Sequence, residues 1–279
     1  GWAVGDSGVI LHTVNGGTVW LPQTSGGGTY AIYDVKFIDR TTGWASGYYY
    51  AYRTNNGGST WSTSIPYSSY TWYGIVGQSY SAATTAGQTG YIRYTTSGTS
   101  WSGRTSHVTN DLYVLEFLDA RYEASVGYDG TAIMTSNGGV SWLDRKLGTT
   151  SHIRDVFFAT PSVGWAVGYN GTILRSDDGG DTWTPQTSGV TADLWGIWCT
   201  SATACHVVGA SGQILRTTDG GTTWSPRTEG TATYYDVFFY DALNGWAVGS
   251  SGAVRFSGDG GLSWQAETAG STSYTYYGV

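Results

Sequence analysis

Between residues 232 and 268 the chain runs YYDVFF, GWAVG, GAVRFS and SWQAE, in which apolar residues alternate with polar ones or follow one another for a few positions. Gly, Asn, Asp and Ser separate these stretches. A period of two, punctuated in this way, predicts short β-strands joined by tight turns. No stretch carries the 3.6-residue period of an amphipathic helix.

The pattern recurs. Octets ending in Trp stand at 13–20 (TVNGGTVW), 54–61 (TNNGGSTW), 135–142 (TSNGGVSW), 176–183 (SDDGGDTW), 217–224 (TTDGGTTW) and 257–264 (SGDGGLSW). A copy one residue shorter, TTSGTSW, occupies 95–101. The tryptophans Trp20, Trp61, Trp101, Trp142, Trp183, Trp224 and Trp264 are spaced by 41, 40, 41, 41, 41 and 40 residues. A second marker, GWAVG at 1–5, 164–168 and 245–249 and GWASG at 43–47, keeps the same beat. Units of this size cannot bury their apolar faces alone and must stack. Four strands in about forty residues is the period of a propeller blade. The sequence therefore predicts one all-β domain over residues 1–279, a seven-bladed β-propeller of four-stranded antiparallel blades. SYTYYGV at 273–279 matches the first strand of a unit, whereas Gly1 opens at a second strand. The C-terminal strand is thus expected to pair with the N-terminal blade and to remove an exposed sheet edge.

Each octet falls between the third and fourth strands as a hairpin turn. Its glycines permit positive φ, and its Ser/Thr and Asp/Asn side chains can bond the turn's own backbone. The Trp is expected to cover the blade core. Asn15, Asn56 and Asn137 stand where other copies have Asp, and Ser97 replaces it once more. Acid catalysis would not survive that exchange, whereas turn geometry does. Asp178, Asp219 and Asp259 therefore read as turn residues.

The octet resembles the Asp-box, or bacterial neuraminidase repeat. The whole unit, with GWAVG, GTILRS at 171–176, GQILRT at 212–217 and DGGxTW, is similar to the photosystem II assembly factor family of seven-bladed propellers. The resemblance implies the same fold and a binding role on the face that carries the blade-to-blade connections. It also implies a basic patch for a photosystem partner. The matching column here is His12, Arg53, Tyr94, Met134, Arg175, Arg216 and Phe256, with three arginines.

Lysine is nearly absent, with only Lys36 and Lys146, and charged residues make up 12% of the chain against about a quarter in ordinary domains. Net charge is −7 with no basic run, which argues against nucleic acid. No apolar run is long enough to span a bilayer, so membrane insertion is not expected. Cys199 closes a first strand and Cys205 opens the next, so a disulfide is expected, with two buried thiols as the alternative. A disulfide implies an oxidising compartment: extracellular, cell-surface or periplasmic. His12, His107, His152 and His206 show no ligand spacing, so neither metal nor cofactor is expected.

Candidate binding residues lie on the connection face. Just before the small or acidic residue of each first strand stand Tyr33, Tyr73, Tyr113, Arg154, Trp195, Tyr235 and Tyr277, a column that should open at the channel mouth. The loop GYYYAY adds Tyr48, Tyr49 and Tyr50, and IPYSSYTWYG adds Tyr67, Tyr70 and Trp72. The column residues could instead pack between blades, although Val, Ile or Phe follow two and four positions later in most copies. Tyr and Trp suit surfaces that bind proteins or sugars while staying wet. The reading that follows is a secreted or surface propeller that binds a protein or a glycan and is not an enzyme. Two alternatives stand beside it. One is a glycoside hydrolase of the Asp-box class, for which Asp34, Asp155 and Asp236 are the first-strand carboxylates, with Asp111 and Asp193 in loops. The other is an architectural subunit of a larger extracellular assembly.

Overall fold

The computed structural model of the protein describes residues 1–26, 28–65, 68–118, 121–268 and 273–279. Seven four-stranded antiparallel sheets form the blades. Their inner strands, from blade 1 to blade 7, are Tyr276–Gly278, Ile32–Phe37, Trp72–Gly77, Leu112–Phe117, Ile153–Phe158, Leu194–Cys199 and Tyr234–Phe239. Helical backbone among the described residues is confined to three-residue 3-10 turns between second and third strands.

Blade 1 joins the two ends of the chain. Its order is Tyr276–Gly278, Trp2–Gly5, Val9–His12 and Leu21–Thr24, with Gly278 opposite Val4 and Tyr276 opposite Gly5. Tyr276 is fully buried with Ala3, Leu11 and Trp20, against Val248 and Val254 of blade 7, and Val279 packs on the same cluster. The C-terminal strand closes the ring as the repeat predicts.

Core clusters lie between blades. One contains Trp165, Val167 and Ile173 of blade 5 together with Leu194, Ile197, Cys205, Val207 and Leu215 of blade 6. Each blade offers an apolar face that only its neighbour covers, which is why one unit could not stand alone.

One column shows how the blades substitute for one another. Phe37 is register-paired with Gly43, Phe158 with Gly164 and Phe239 with Gly245. The ring lies over the glycine so closely that a Cβ on Gly43 would meet Phe37 at 2.6 Å. In blade 6 the same pair is Cys199 and Cys205, joined as a disulfide across a Cα–Cα distance of 4.0 Å. The disulfide stands where other blades have an aromatic cap.

The octets are hairpin turns held by their own side chains. Ser176 donates to Asp178 Oδ1 at 2.9 Å and accepts the Gly180 N–H at 2.8 Å. Asp178 then accepts the Thr182 N–H at 2.9 Å and the Thr182 hydroxyl at 2.6 Å. In blade 2, Asn56 Oδ1 accepts the Thr60 N–H at 2.9 Å, while its Nδ2 donates to the Thr60 hydroxyl at 2.8 Å. The hydroxyl rotates to suit either partner, so amide and carboxylate are interchangeable.

Candidate functional site

Every inner strand carries a β-bulge at the same place. Pairing skips one residue between Ile32 and Asp34, and equivalently between Trp72 and Gly74, Leu112 and Val114, Ile153 and Asp155, Leu194 and Gly196, and Tyr234 and Asp236. In blade 1 the skipped residue is Tyr277. A bulge leaves its extra residue unpaired and re-aims its side chain. The extra residues are Tyr33, Tyr73, Tyr113, Arg154, Trp195, Tyr235 and Tyr277, the column singled out in the sequence. The last glycine of each GWAVG-type segment makes the bulge feasible. A Cβ on Gly47 or Gly168 would strike the carbonyl of Ala31 or His152, two residues ahead of the bulged side chain.

These seven side chains form a closed collar. Ring centroids are 5.5 Å apart for Tyr33–Tyr73, 5.6 Å for Tyr73–Tyr113, 5.0 Å for Trp195–Tyr235, 5.3 Å for Tyr235–Tyr277 and 5.4 Å for Tyr277–Tyr33. Arg154 bridges the remaining gap, its guanidinium 4.1 Å from the Tyr113 ring and 4.3 Å from the Trp195 ring. Tyr169 lies 4.7 Å from the same guanidinium, which donates to its hydroxyl. Burial raises the Tyr73 hydroxyl to about 12, helped by Asp111, and pushes Tyr33, Tyr113, Tyr235 and Tyr277 in the same direction. The collar therefore presents neutral phenols. Its members are half-buried, touching one another while keeping an edge at the mouth.

The layer beneath holds the first-strand aspartates of the hydrolase alternative. Asp34 accepts the Ile75 N–H at 3.0 Å, Asp155 the Ile197 N–H at 2.8 Å and Asp236 the Val279 N–H at 2.9 Å, each from the next blade. The second oxygen of Asp155 accepts Val156 N–H and that of Asp236 accepts Val237 N–H, both at 2.8 Å. These aspartates are stitches between blades. The blade that receives each stitch carries glycine at the equivalent position: Gly74, Gly196 or Gly278. That glycine lets the following blade approach closely, since a Cβ on Gly74 would sit 2.5 Å from Leu115 N and one on Gly196 2.9 Å from the Asp236 Cα.

Deeper in the channel, Lys36 lies 4.0 Å from Asp34 and within the field of Glu116, Asp155 and Asp236. Burial raises Asp34 and Asp155, pushes Asp236 up to about 6 and pushes Glu116 to about 7, with Lys36 pulling the other way. Burial also opposes the charge on Lys36, but the surrounding carboxylates outweigh it and raise its pKa. Phe157, Trp198 and Phe238 follow one another along the opposite wall, tilted and then edge-to-face, with centroids 4.7 Å apart at each step.

The tyrosines of blades 1–3 extend the collar outward. Tyr48 is 37% exposed, and its hydroxyl is 2.9 Å from that of Tyr49. Tyr30, 38% exposed, has ring centroids 5.9, 5.8 and 5.5 Å from Tyr48, Tyr49 and Tyr50. Tyr49 adopts φ 72°, where the corresponding turns of other blades have Ser, Thr, Asp or Asn, and a bulky side chain there is unusual. Tyr50 packs against the core between blades 1 and 2. Tyr70 donates to the Tyr91 hydroxyl at 2.9 Å. Trp72 is buried beneath, and Tyr67 lies outside the described residues. Sequence reasoning missed Tyr30, Tyr91, Tyr128 and Tyr169. Tyr128 and Tyr169 open second-to-third-strand turns, and Tyr91 closes another, so a count of aromatics at those turns would have found them.

The other candidates make contacts within the fold. Arg53, Arg175 and Arg216 donate to the carbonyls of Tyr80, Gly220 and Gly260, in turns of the next blade on the opposite face. They do not form a patch at the mouth. His206 stacks 4.0 Å from Phe239 and meets the Gly260 carbonyl at 3.0 Å, with burial lowering its pKa to about 4. Asp111 and Asp193 accept the N–H groups of Thr89 and Asn170 at 2.7 and 3.0 Å. Among the described residues no three His, Cys, Asp or Glu side chains converge as metal ligands. Among the described residues no helix is long and apolar enough to cross a membrane.

The repeat, the blade geometry and the collar define an Asp-box (BNR) propeller. Residues 134–225 match the family described as photosynthesis system II assembly factor YCF48, and the chain is similar to that family. Among solved structures it resembles YCF48 bound to D1 peptide, with 21% identity over 84% of this chain and 81% of that one and a TM-score of 0.69. YCF48 from Cyanidioschyzon merolae matches with 20% identity over 85% of each chain and a TM-score of 0.67. The WD40 β-propeller domain of Doa1 gives 14% identity, 100% and 90% coverage and a TM-score of 0.74. At these identities the likeness establishes the fold. Curated protein sequences give no match.

Proposed function

We propose that the chain is a non-enzymatic binding propeller of an extracytoplasmic compartment, and that the aromatic channel mouth with the tyrosine surface of blades 1–3 receives an extended segment of a protein partner. One observation carries this reading: bulges in all seven inner strands turn six aromatic rings and one arginine into a single collar, open to the face where Tyr30, Tyr48 and Tyr91 are exposed. Large amphipathic rings in a fixed frame bind at low entropic cost. A structurally similar propeller, YCF48, is described as bound to D1 peptide, which favours a protein over a sugar as the ligand class. The Cys199–Cys205 disulfide supports the compartment. Catalysis is disfavoured because the channel aspartates hold backbone amides of neighbouring blades, whereas a glycosidase needs two carboxylates flanking its bond.

The test compares the parent with a variant carrying Tyr33→Ala, Tyr48→Ala, Tyr49→Ala and Tyr73→Ala, after its melting curve has confirmed a folded ring. Retention of a protein ligand from extract of the source cells should be lost in the variant. Retention unchanged by these substitutions places the site elsewhere. Glycan-array binding that the same substitutions remove makes the partner a carbohydrate. Polysaccharide turnover abolished by Asp236→Asn would restore the hydrolase.

A further inference from the structure

Four aspartates stand around the aromatic mouth. Asp6 lies in the second-to-third-strand turn of blade 1, Asp129 in that of blade 4, and Asp111 and Asp193 immediately precede the inner strands of blades 4 and 6. Asp6 accepts the Tyr277 hydroxyl at 3.0 Å and acts electrostatically on Tyr33 and Tyr235, while Asp111 acts on Tyr73 and Tyr113. Asp193 is two residues from Trp195 in the chain. The hydrogen bonds that pin Asp6 to Tyr277, Asp111 to Thr89 and Asp193 to Asn170 each use one carboxylate oxygen. Among the described residues no lysine or arginine pairs with any of the four, and Asp129 has only His152, 3.7 Å away.

Among the described residues the cation within the collar is Arg154, while Arg93 lies farther out with its guanidinium 5.5 Å from the Trp72 ring and acting on Tyr70. The Arg154 guanidinium lies against the rings of Tyr113, Tyr169 and Trp195, and its Nε is buried without a partner. It serves as the seventh member of the collar, already enclosed by aromatic faces. An anionic segment arriving here would meet four carboxylates before reaching that guanidinium. A cationic segment would meet carboxylates at the rim and the negative faces of rings within, an arrangement that attracts ammonium and guanidinium groups.

Resting on the protein-binding reading above, we propose that the segment received at this mouth is basic: an extended peptide placing lysine or arginine side chains against the aromatic collar, with Asp6, Asp111 and Asp193 as counter-charges. The sign is opposite to that implied by the basic patch of the resembled family, whose matching arginines here serve the other face. Carboxylates at the rim also steer a cationic ligand at long range, so association should be salt-sensitive.

The experiment pans a displayed random-peptide library on the intact chain and measures the strongest clones as synthetic peptides. Enriched clones should carry more Lys and Arg than Asp and Glu. Their affinity should fall at least about tenfold between roughly 50 and 300 mM salt, as screening shortens the reach of exposed charges. The triple variant Asp6→Asn, Asp111→Asn and Asp193→Asn keeps an oxygen to accept the Tyr277, Thr89 and Asn170 pins, so its melting temperature should stay within a few degrees. The same peptides should bind it at least about tenfold more weakly. Clones that are acidic or neutral, bind the triple variant equally and are lost with Tyr33→Ala and Tyr73→Ala would overturn the basic partner while leaving the aromatic site intact. Clones indifferent to those tyrosine changes would sink the site itself.

Discussion

Asp236 of the last blade accepts the N–H of Val279, the final residue, at 2.9 Å, and so ties the seventh inner strand to the C-terminal strand that completes the first blade. The contact spans 43 residues and is the third use of one stitch, the others running from Asp155 to Ile197 and from Asp34 to Ile75.

Removing residues 273–279 should be far more damaging than losing one stitch. It uncovers the edge of Trp2–Gly5 and deletes the fully buried Tyr276, a loss of several kcal/mol from a total of about 5–15. Aggregation or a collapse of the melting transition is expected, whereas Asp236→Ala should cost about 2–3 kcal/mol in urea denaturation. A truncated chain that melts like the parent and remains monomeric on gel filtration would mean that the ring is sealed another way.

Gly74→Ala should destabilise by about 1–3 kcal/mol, because its Cβ would lie 2.5 Å from Leu115 N of the next blade. Gly103→Ala is the control, having nothing within 4 Å of the added carbon. Equal denaturation midpoints for the two variants would contradict the close approach of blades 3 and 4.

The disulfide should be replaceable by the cap used elsewhere in the ring. Reduction of the parent is expected to cost about 2 kcal/mol for so short a loop. The pair Cys199→Phe and Cys205→Gly, copying Phe158 over Gly164, should fold and melt identically with and without reductant. A variant that fails to fold would show that blade 6 has no room for the ring.

Asp178→Asn should be nearly silent, since Asn56 makes the same turn bonds, whereas Asp178→Ala should cost about 1 kcal/mol. Denaturation midpoints of the two variants settle the point. A large loss in the Asn variant would give the carboxylate a role beyond the turn.

Stability should decline as pH rises from about 4 to about 7. Burial holds Asp236 near 6 and Glu116 near 7 in the folded ring. It also raises Glu123 to about 7; this residue is fully buried and its Oε2 lacks a partner. His206, lowered to about 4 by burial, acts the other way within that window, but the three raised carboxyls outnumber it. The folded state therefore binds more protons than the unfolded chain, and unfolding free energy falls with rising pH. The octet aspartates act the other way: Asp178, Asp219 and Asp259, held near 2 by hydrogen bonds, lose their contribution as pH falls through the acid range. Melting temperature should therefore peak near pH 4–5, and Glu116→Gln should flatten its decline towards pH 8. A profile rising steadily to pH 8 would refute the buried-acid account.

Most of the blade architecture was legible because its signals are local. The octet, the GWAVG segment and their spacing each lie within one unit, and the first-strand motif at the C-terminus needed only comparison with the others. The collar was found as a column, but its cause was hidden: two adjacent residues such as Tyr33 and Asp34 both face the channel, and the bulge that arranges this breaks the strand alternation used to read orientation. The stitches escaped for a different reason. Asp34 and Ile75 are 41 residues apart, and nothing near Asp34 says that its oxygen will cap another blade's amide. Tyr30 and Tyr91 were missed because each is a single aromatic in a turn, and only the fold brings them to one surface.

Around the ring the position below the collar reads Asp34, Gly74, Val114, Asp155, Gly196, Asp236 and Gly278, a stitch followed by a close approach, repeated. A two-step motif cannot close on an odd number without one fault. The fault falls at Val114 of blade 4, next to the seam where Arg154 interrupts the aromatic rings. Six or eight blades would carry no such parity defect. A seven-membered ring must have one seam unlike the rest, and through it this repeat gains a fixed origin from which its sides can be told apart.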